Sequence, residues 1–277
     1  MGLEICSPCD TKKQENLGEI LNQQGIEQFD FDDIQSYSVA IDLFRKGAEK
    51  GWEKSRSNLS VVLNLLGVRY YNGDNVEFSL EKAEECFKES AELGNDSAKK
   101  NLATLYIQYG EMYSNGKRLK VNQELAEKYF KKAVEYDAEK GKTKLVKFYI
   151  NSYFNFRRGV AGYKKDPVLS DQCIKKAKAL DSNMVKEFGI DYYNRAEKLL
   201  SQGVTRENYH KINGYLKRAS HLTDINLTDT LIDFYKTVAE YSKKGKNGFS
   251  KDKDRSNRYY GKAAALGDPE AKRKYKD

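Results

Sequence analysis

Six twelve-residue segments recur along the chain at a nearly constant interval. They are AIDLFRKGAEKG from Ala40, AEECFKESAELG from Ala83, AEKYFKKAVEYD from Ala126, SDQCIKKAKALD from Ser170, INGYLKRASHLT from Ile212 and SNRYYGKAAALG from Ser256. Their starts lie 43, 43, 44, 42 and 44 residues apart. A period of this size marks an array of stacked supersecondary units. It constrains the fold more than any single motif, because one such unit cannot bury its own apolar face.

Within each copy the apolar residues follow a helical period. Ala83, Phe87 and Ala91 stand at i, i+4 and i+8, on one face of a helix. Phe44, Phe87, Phe130, Ile174, Leu216 and Tyr260 share a large slot; three positions on, Gly47, Ser90, Ala133, Ala177, Ala219 and Ala263 share a small one, where a neighbouring helix can approach. A second helical segment lies between copies. Leu59, Leu102, Leu145 and Leu231 mark one of its registers, with Gly189 in the fifth repeat, and Leu63, Tyr106, Tyr149, Tyr193 and Tyr235 follow four residues later. Gly73, Gly116, Gly159, Gly203 and Gly245 close these segments, and Gly51, Gly94 and Gly267 suit the ends of the others. The expected fold is all-α: a right-handed α-solenoid superhelix of about six antiparallel helical hairpins. Residues 1–10 are expected to form a tail, 11–267 the array and 268–277 a capping helix, opened by Asp268 and Pro269.

The composition agrees. Of 277 residues, 39% are hydrophobic, 32% are charged and three are proline, which suits a helical array with a high ratio of surface to volume. No run approaches the roughly 18 apolar residues of a membrane span. The N-terminus lacks a basic stretch followed by an apolar core, so a cytoplasmic location is expected. Met1-Gly2 does not complete a myristoylation motif, since Cys6 stands where Ser or Thr is needed. Charge is uneven: residues 1–99 carry 11 Lys and Arg against 19 Asp and Glu, and residues 100–277 carry 38 against 22. A basic portion of this kind attracts acidic protein, acidic lipid or nucleic acid, although a set of solvated helix faces accounts for it more simply.

The segment GFSKDKDRSNRYYGKAAALGDPEA, Gly248 to Ala271, resembles a Sel-one-like repeat, a relative of the tetratricopeptide repeat. AELGNDSAKKNLATLYIQYGEMYSNG, Ala91 to Gly116, resembles it too, with Ala98, Leu102, Ala103 and Tyr106 at the family spacing. The departure is length: after Tyr106 the helix is expected to run about two extra turns, through Tyr113, before its glycine. The resemblance implies a non-catalytic scaffold for protein–protein interaction that binds in the concave groove, and a host-directed role in a bacterium is compatible with it. In tetratricopeptide-like folds the first helix of each hairpin lines that groove. Carried over from Leu102 and Tyr106, the groove positions include Lys100, Thr104, Gln108, Lys147, Asn151, Asp191, Asn194, Arg195, Lys198, Asp233 and Lys236. Their chemistry varies from repeat to repeat while the leucine and tyrosine registers do not. Asn151 and Asn194 suit a peptide backbone, and Lys147, Arg195, Lys198 and Lys236 suit an acidic segment. The expected partner is a protein or peptide, with a monomeric chain. The alternative is nucleic-acid or acidic-surface binding through residues 100–277, where Lys and Arg interleave with aromatics in NGFSKDKDRSNRYYGK. The loop RRGVAGYKKDP, Arg157 to Pro167, is longer than its counterparts, basic, and carries Tyr163.

No enzyme is expected and no cofactor or metal. There are two histidines, His210 and His221, no phosphate-binding glycine motif, and carboxylates that fall at ion-pair spacing beside lysines. Cys86 shares a slot with Leu43, Tyr129, Cys173, Tyr215 and Tyr259, so its thiol is expected to pack, not react. Cys6-Ser7-Pro8-Cys9 is the other candidate: half of a zinc site without a second pair, a redox pair without the strand such a pair sits beside, or an incidental terminal pair.

Overall fold

The structure is a computed structural model that describes residues 8–116 and 120–276. The described residues form twelve helices, with no strand among them. The Cys6–Cys9 pair lies outside the residues whose side chains are described. By its contacts the chain divides into two compact units, Met1–Ser170 and Asp171–Asp277.

The first unit holds α1 (Pro8–Gln28), α2 (Ile34–Glu49), α3 (Glu53–Asn72), α4 (Leu80–Glu92), α5 (Asp96–Asn115), α6 (Gln123–Tyr136) and α7 (Ala138–Arg158). Local chemistry sets the helix starts. Ser79, Asn95, Asn122 and Asp137 each accept a hydrogen bond from a backbone N–H three residues on, which satisfies a donor that the first turn leaves open. α3, α5 and α7 end on Gly73, Gly116 and Gly159 in the left-handed conformation. α5 runs past Tyr106 to Asn115, so its extra turns are real. Each helix packs on the next, and α1, α3, α5 and α7 also touch one another in sequence. That is the nearest-neighbour pattern of stacked hairpins.

The large slot works through a contact that the period alone does not show. The ring of Phe44 lies on Gly25, that of Phe87 on Gly67 and that of Phe130 on Gly110; a Cβ on these glycines would stand 2.6, 2.6 and 2.9 Å from the ring. The second helix of each hairpin thus presses its ring onto the bare backbone of the first. The small slot closes the other side. Gly47, Ser90 and Ala133 are buried, and Ser90 donates to the Ser60 carbonyl at 2.5 Å, so its hydroxyl is paired despite burial. The buried Arg69 of α3 donates through Nε to the Tyr37 hydroxyl (3.0 Å) and through its guanidinium to the Phe31 carbonyl, which ties the α1–α2 connection to α3.

In the second unit, α8 (Pro167–Ser201, begun at the end of the first) is interrupted at Asp181, whose extended backbone (φ −165°, ψ 99°) separates two helical stretches. Then come α9 (Tyr209–Leu222), α10 (Thr228–Lys244), α11 (Lys253–Ala265) and α12 (Pro269–Lys276). Gly189 occupies the leucine register because the end of α9 leaves no space for more: a Cβ there would lie 2.4 Å from the Thr223 methyl and 2.9 Å from Leu222. Asp268 caps α12 by accepting from the Ala271 N–H at 2.6 Å.

The ring-on-glycine contact makes a signed prediction. Glycine to alanine inside a helix ordinarily stabilises by about 1 kcal/mol. Gly67→Ala drives a methyl into Phe87 and is expected to destabilise by about 1–3 kcal/mol, read as a lower urea midpoint. An unchanged or higher midpoint contradicts the contact.

Candidate partner-binding surface

α7 commits Leu145, Val146, Phe148, Tyr149 and Ile150 to the core. Lys144, Lys147, Asn151 and Asn155 occupy another stripe at helical spacing. With Glu111, Ser114 and Asn115 of α5, and rings from Phe130, Phe148 and Tyr163, they line a cavity of about 250 Å³. Lys144 pairs with Glu111 at 2.7 Å. Lys147 is exposed, Asn151 and Asn155 are half-buried, and among the described residues none of these three side chains has a hydrogen-bond or ion-pair partner. The arrangement therefore presents two amides, each able to donate and accept, beside an uncompensated ammonium.

The other expected positions of this unit sit on α5. Lys100 is exposed; Thr104 donates to the Lys100 carbonyl (2.9 Å) and accepts from Lys140 of α7 (2.8 Å). Gln108 is half-buried and its Oε1 has no partner among the described residues. In the second unit, Asp191 and Arg195 form an exposed ion pair one turn apart (2.8 Å), and hydrogen bonding to Asp191 raises the Arg195 pKa. Asn194, Lys198 and Asp233 are exposed. Lys236 is engaged elsewhere: it bonds Glu270 at 2.5 Å and Asp268 at 3.5 Å, and so holds α12.

Two features lay outside the register argument. Asn155 and Lys144 join the stripe by simple i+4 and i−3 spacing from Asn151 and Lys147, a signal that was present in the sequence. Asparagine pairs across neighbouring first helices were not: Asn58 bonds Asn22 (2.9 Å) and Asn101 bonds Asn64 (2.8 Å). The long loop packs its tyrosine inward, with Tyr163 7% exposed and edge-on to Phe156.

Cys86 is half-buried and makes no disulfide among the described residues. Burial, then Glu89 and Glu85, push its thiol up to about 11. Among the described residues no group of three or more His, Cys, Asp or Glu is placed to hold a metal, and no helix is long and apolar enough to cross a membrane.

Consecutive two-helix repeats in nearest-neighbour contact, with variable polar stripes on their first helices, define a helical-hairpin repeat protein. The Sel1 repeat pattern matches residues 14–52, 60–95, 105–135 and 238–268, and the chain belongs to the Sel1 repeat family. Members of that family serve in general as scaffolds for protein–protein interaction. No curated protein matches the sequence. Among solved structures, one similar chain is a protective antigen present in uropathogenic Escherichia coli strains that displays an SLR fold, at 17% identity and a TM-score of 0.28 over 96% of this chain and 63% of that one. Another is a Sel1 repeat protein from Oxalobacter formigenes, at 16% identity and a TM-score of 0.26 over 94% of this chain and 90% of that one. The present chain thus spans less than two thirds of the length of the Escherichia coli protein.

Two outcomes follow from the electrostatics. Glu240 bonds Lys244 (2.8 Å), the Tyr260 hydroxyl and Lys274 (3.0 Å), and Glu270 bonds Lys236 and Lys274 (2.8 Å); these partners hold both carboxyls at about 2. A depressed carboxyl stabilises the fold fully above its unfolded pKa, near 4.5, and that contribution is lost as pH falls toward 2. Amide exchange corrected for intrinsic rate should show α12 losing protection across that window; protection constant from pH 5 to 2 contradicts the pairing. For Cys86, with about one thiolate in a thousand at pH 8, alkylation in the native chain should be at least a hundredfold slower than in urea, as read by peptide mass spectrometry. Equal rates contradict the packed thiol.

Proposed function

We propose that this chain is a non-catalytic scaffold that holds an extended segment of a protein partner along the α5–α7 face of its first unit. Asn151 and Asn155 bond the segment's backbone, and Lys147 pairs with an acidic side chain on it. The observation that carries this reading is a pair of half-buried amides one helical turn apart that have no partner among the described residues, in a cavity where Lys144 pairs with Glu111 and Lys147 pairs with no described carboxylate. An extended peptide supplies alternating N–H and C=O groups that suit two such amides. Lys100, Thr104 and Gln108 continue the face along α5. In the second unit, Asp191, Asn194, Arg195, Lys198 and Asp233 are offered for recognition, whereas Lys236 contributes by fixing α12.

Nucleic-acid binding is disfavoured by the rings. Single-strand binders need exposed aromatic faces, and in the basic stretch that suggested this reading Tyr259 and Tyr260 are 6% and 2% exposed.

The test is a pull-down with the full chain, repeated with the double variant Asn151→Ala, Asn155→Ala and with Lys147→Glu. Two lost backbone contacts cost about 1–3 kcal/mol, so recovery of a specific partner should fall about 10- to 100-fold, with melting temperature unchanged. Undiminished recovery in both variants removes the α5–α7 face from the account.

A further inference from the structure

One glycine has no packing reason to be a glycine. Nine glycines stand inside described helices with ordinary backbone. At eight of them an added Cβ would meet a neighbouring atom within 3.0 Å; at Gly214, in the middle of α9, it would meet nothing within 4 Å. Glycine is the poorest helix former after proline, so an open glycine in mid-helix is a cost that packing does not explain.

The repeat supplies a comparison within the chain. The registers that place Tyr106, Tyr129 and Lys132 in the first unit place Tyr235, Tyr259 and Lys262 in the second. In both, the lysine lies over the two rings: Lys132 at 4.9 and 5.5 Å, Lys262 at 5.6 and 3.9 Å. In the first unit α4 brings carboxylates to this place. Glu84 accepts from the Tyr106 hydroxyl (2.9 Å) and pairs with Lys88 (2.7 Å), and Glu85 follows it. In the second unit the same positions of α9 are Asn213 and Gly214, while Lys217 keeps the place of Lys88. Both acids are gone and the cations remain. Asn213 Oδ1 is buried without a partner among the described residues.

The charges around Gly214 are lopsided. His210 and Lys217 stand one turn before and after it on the same face of α9. Across from them α11 brings Arg258 and Lys262. Burial and then the positive charges of Lys217 and Arg258 lower the Lys262 pKa; burial, then Arg206, Lys262 and Arg255, lower that of His210. Arg255 is paired with Asp252 at 2.9 Å, and Arg206 donates to the Tyr209 hydroxyl at 3.0 Å. Asp254 shares a surface depression with Arg258 and Lys262. Yet among the described residues no carboxylate forms an ion pair with Lys217, Arg258 or Lys262.

We propose that the α9–α11 face centred on Gly214 is a docking site for an acidic segment of a partner protein, whose backbone passes over Gly214 while its carboxylates pair with Lys217, Arg258 and Lys262. The segment restores the negative charge that Glu84 and Glu85 supply at the equivalent place in the first unit. It goes beyond the α5–α7 face, which uses different helices in a different unit. A nucleic acid fits less well, because Tyr209, at 4% exposure, and Tyr259 offer no ring to stack on.

The test uses the full chain and a fluorescein-labelled peptide of alternating Glu and Gly, followed by anisotropy. The double variant Arg258→Gln, Lys262→Gln should weaken binding at least tenfold. Gly214→Glu should do the same with a melting temperature no lower than that of the unchanged chain, since the space there is open. A control that removes equal charge elsewhere, Lys243→Gln with Lys251→Gln, should stay within twofold. In NMR titrations the His210 imidazole pKa should rise when the peptide binds, because the added carboxylates offset its cationic neighbours. The proposal is overturned if the control weakens binding as much as the site variants, if Gly214→Glu binds normally, if the His210 pKa stays put on saturation, or if a single-stranded oligonucleotide of equal charge binds tighter than the peptide with the same response to the variants.

Discussion

An aromatic ring seated on bare backbone sets the spacing of the first unit. Where Phe44, Phe87 and Phe130 meet Gly25, Gly67 and Gly110, the helices of a hairpin approach closer than any side chain on the glycine would allow. Burying a phenylalanine is worth about 1.5–3 kcal/mol, and here bare backbone covers part of each ring. Once hairpins close this tightly, the facing slot must be small, and Gly47, Ser90 and Ala133 follow. The same logic runs the other way in α8, where Gly189 yields to the end of α9.

Packing of this kind consumes one stripe of each helix and leaves another to chemistry. On α7 that stripe is Lys147, Asn151 and Asn155, with donors, acceptors and a charge that the fold does not use. On α9 and α11 it is a set of cations from which the repeat's own acids have been removed. Both faces are rigidly backed by helices whose other sides are buried.

The helical registers, the glycine ends and the extra turns of α5 were legible in the sequence because each follows from a local period or a backbone conformation. Asn151 and Lys147 were legible for the same reason, as positions that packing leaves alone. What escaped depends on contacts between distant residues. The Lys236–Glu270 pair joins α10 to a helix that no register argument docks against it. Nothing in the sequence joins Asn64 to Asn101, which bond across neighbouring helices. Tyr163 stands in a long basic loop, and nothing in the sequence signals that the loop buries it. Gly25, Gly67 and Gly110 recur at intervals of 42 and 43 residues, so their register is present in the sequence; the rings they face, and the open space that sets Gly214 apart, appear only in the fold.

The central claim is that each hairpin hides its apolar stripe against its neighbours and against nothing else. Hydrogen exchange read by mass spectrometry on Phe130→Ala tests it most directly. A nearest-neighbour array predicts lost protection in α5 and α6, a smaller loss in α4 and α7, and unchanged protection in α1, α2 and the helices after Ser201. Protection falling by the same factor throughout the chain, as a single cooperative core requires, would contradict it.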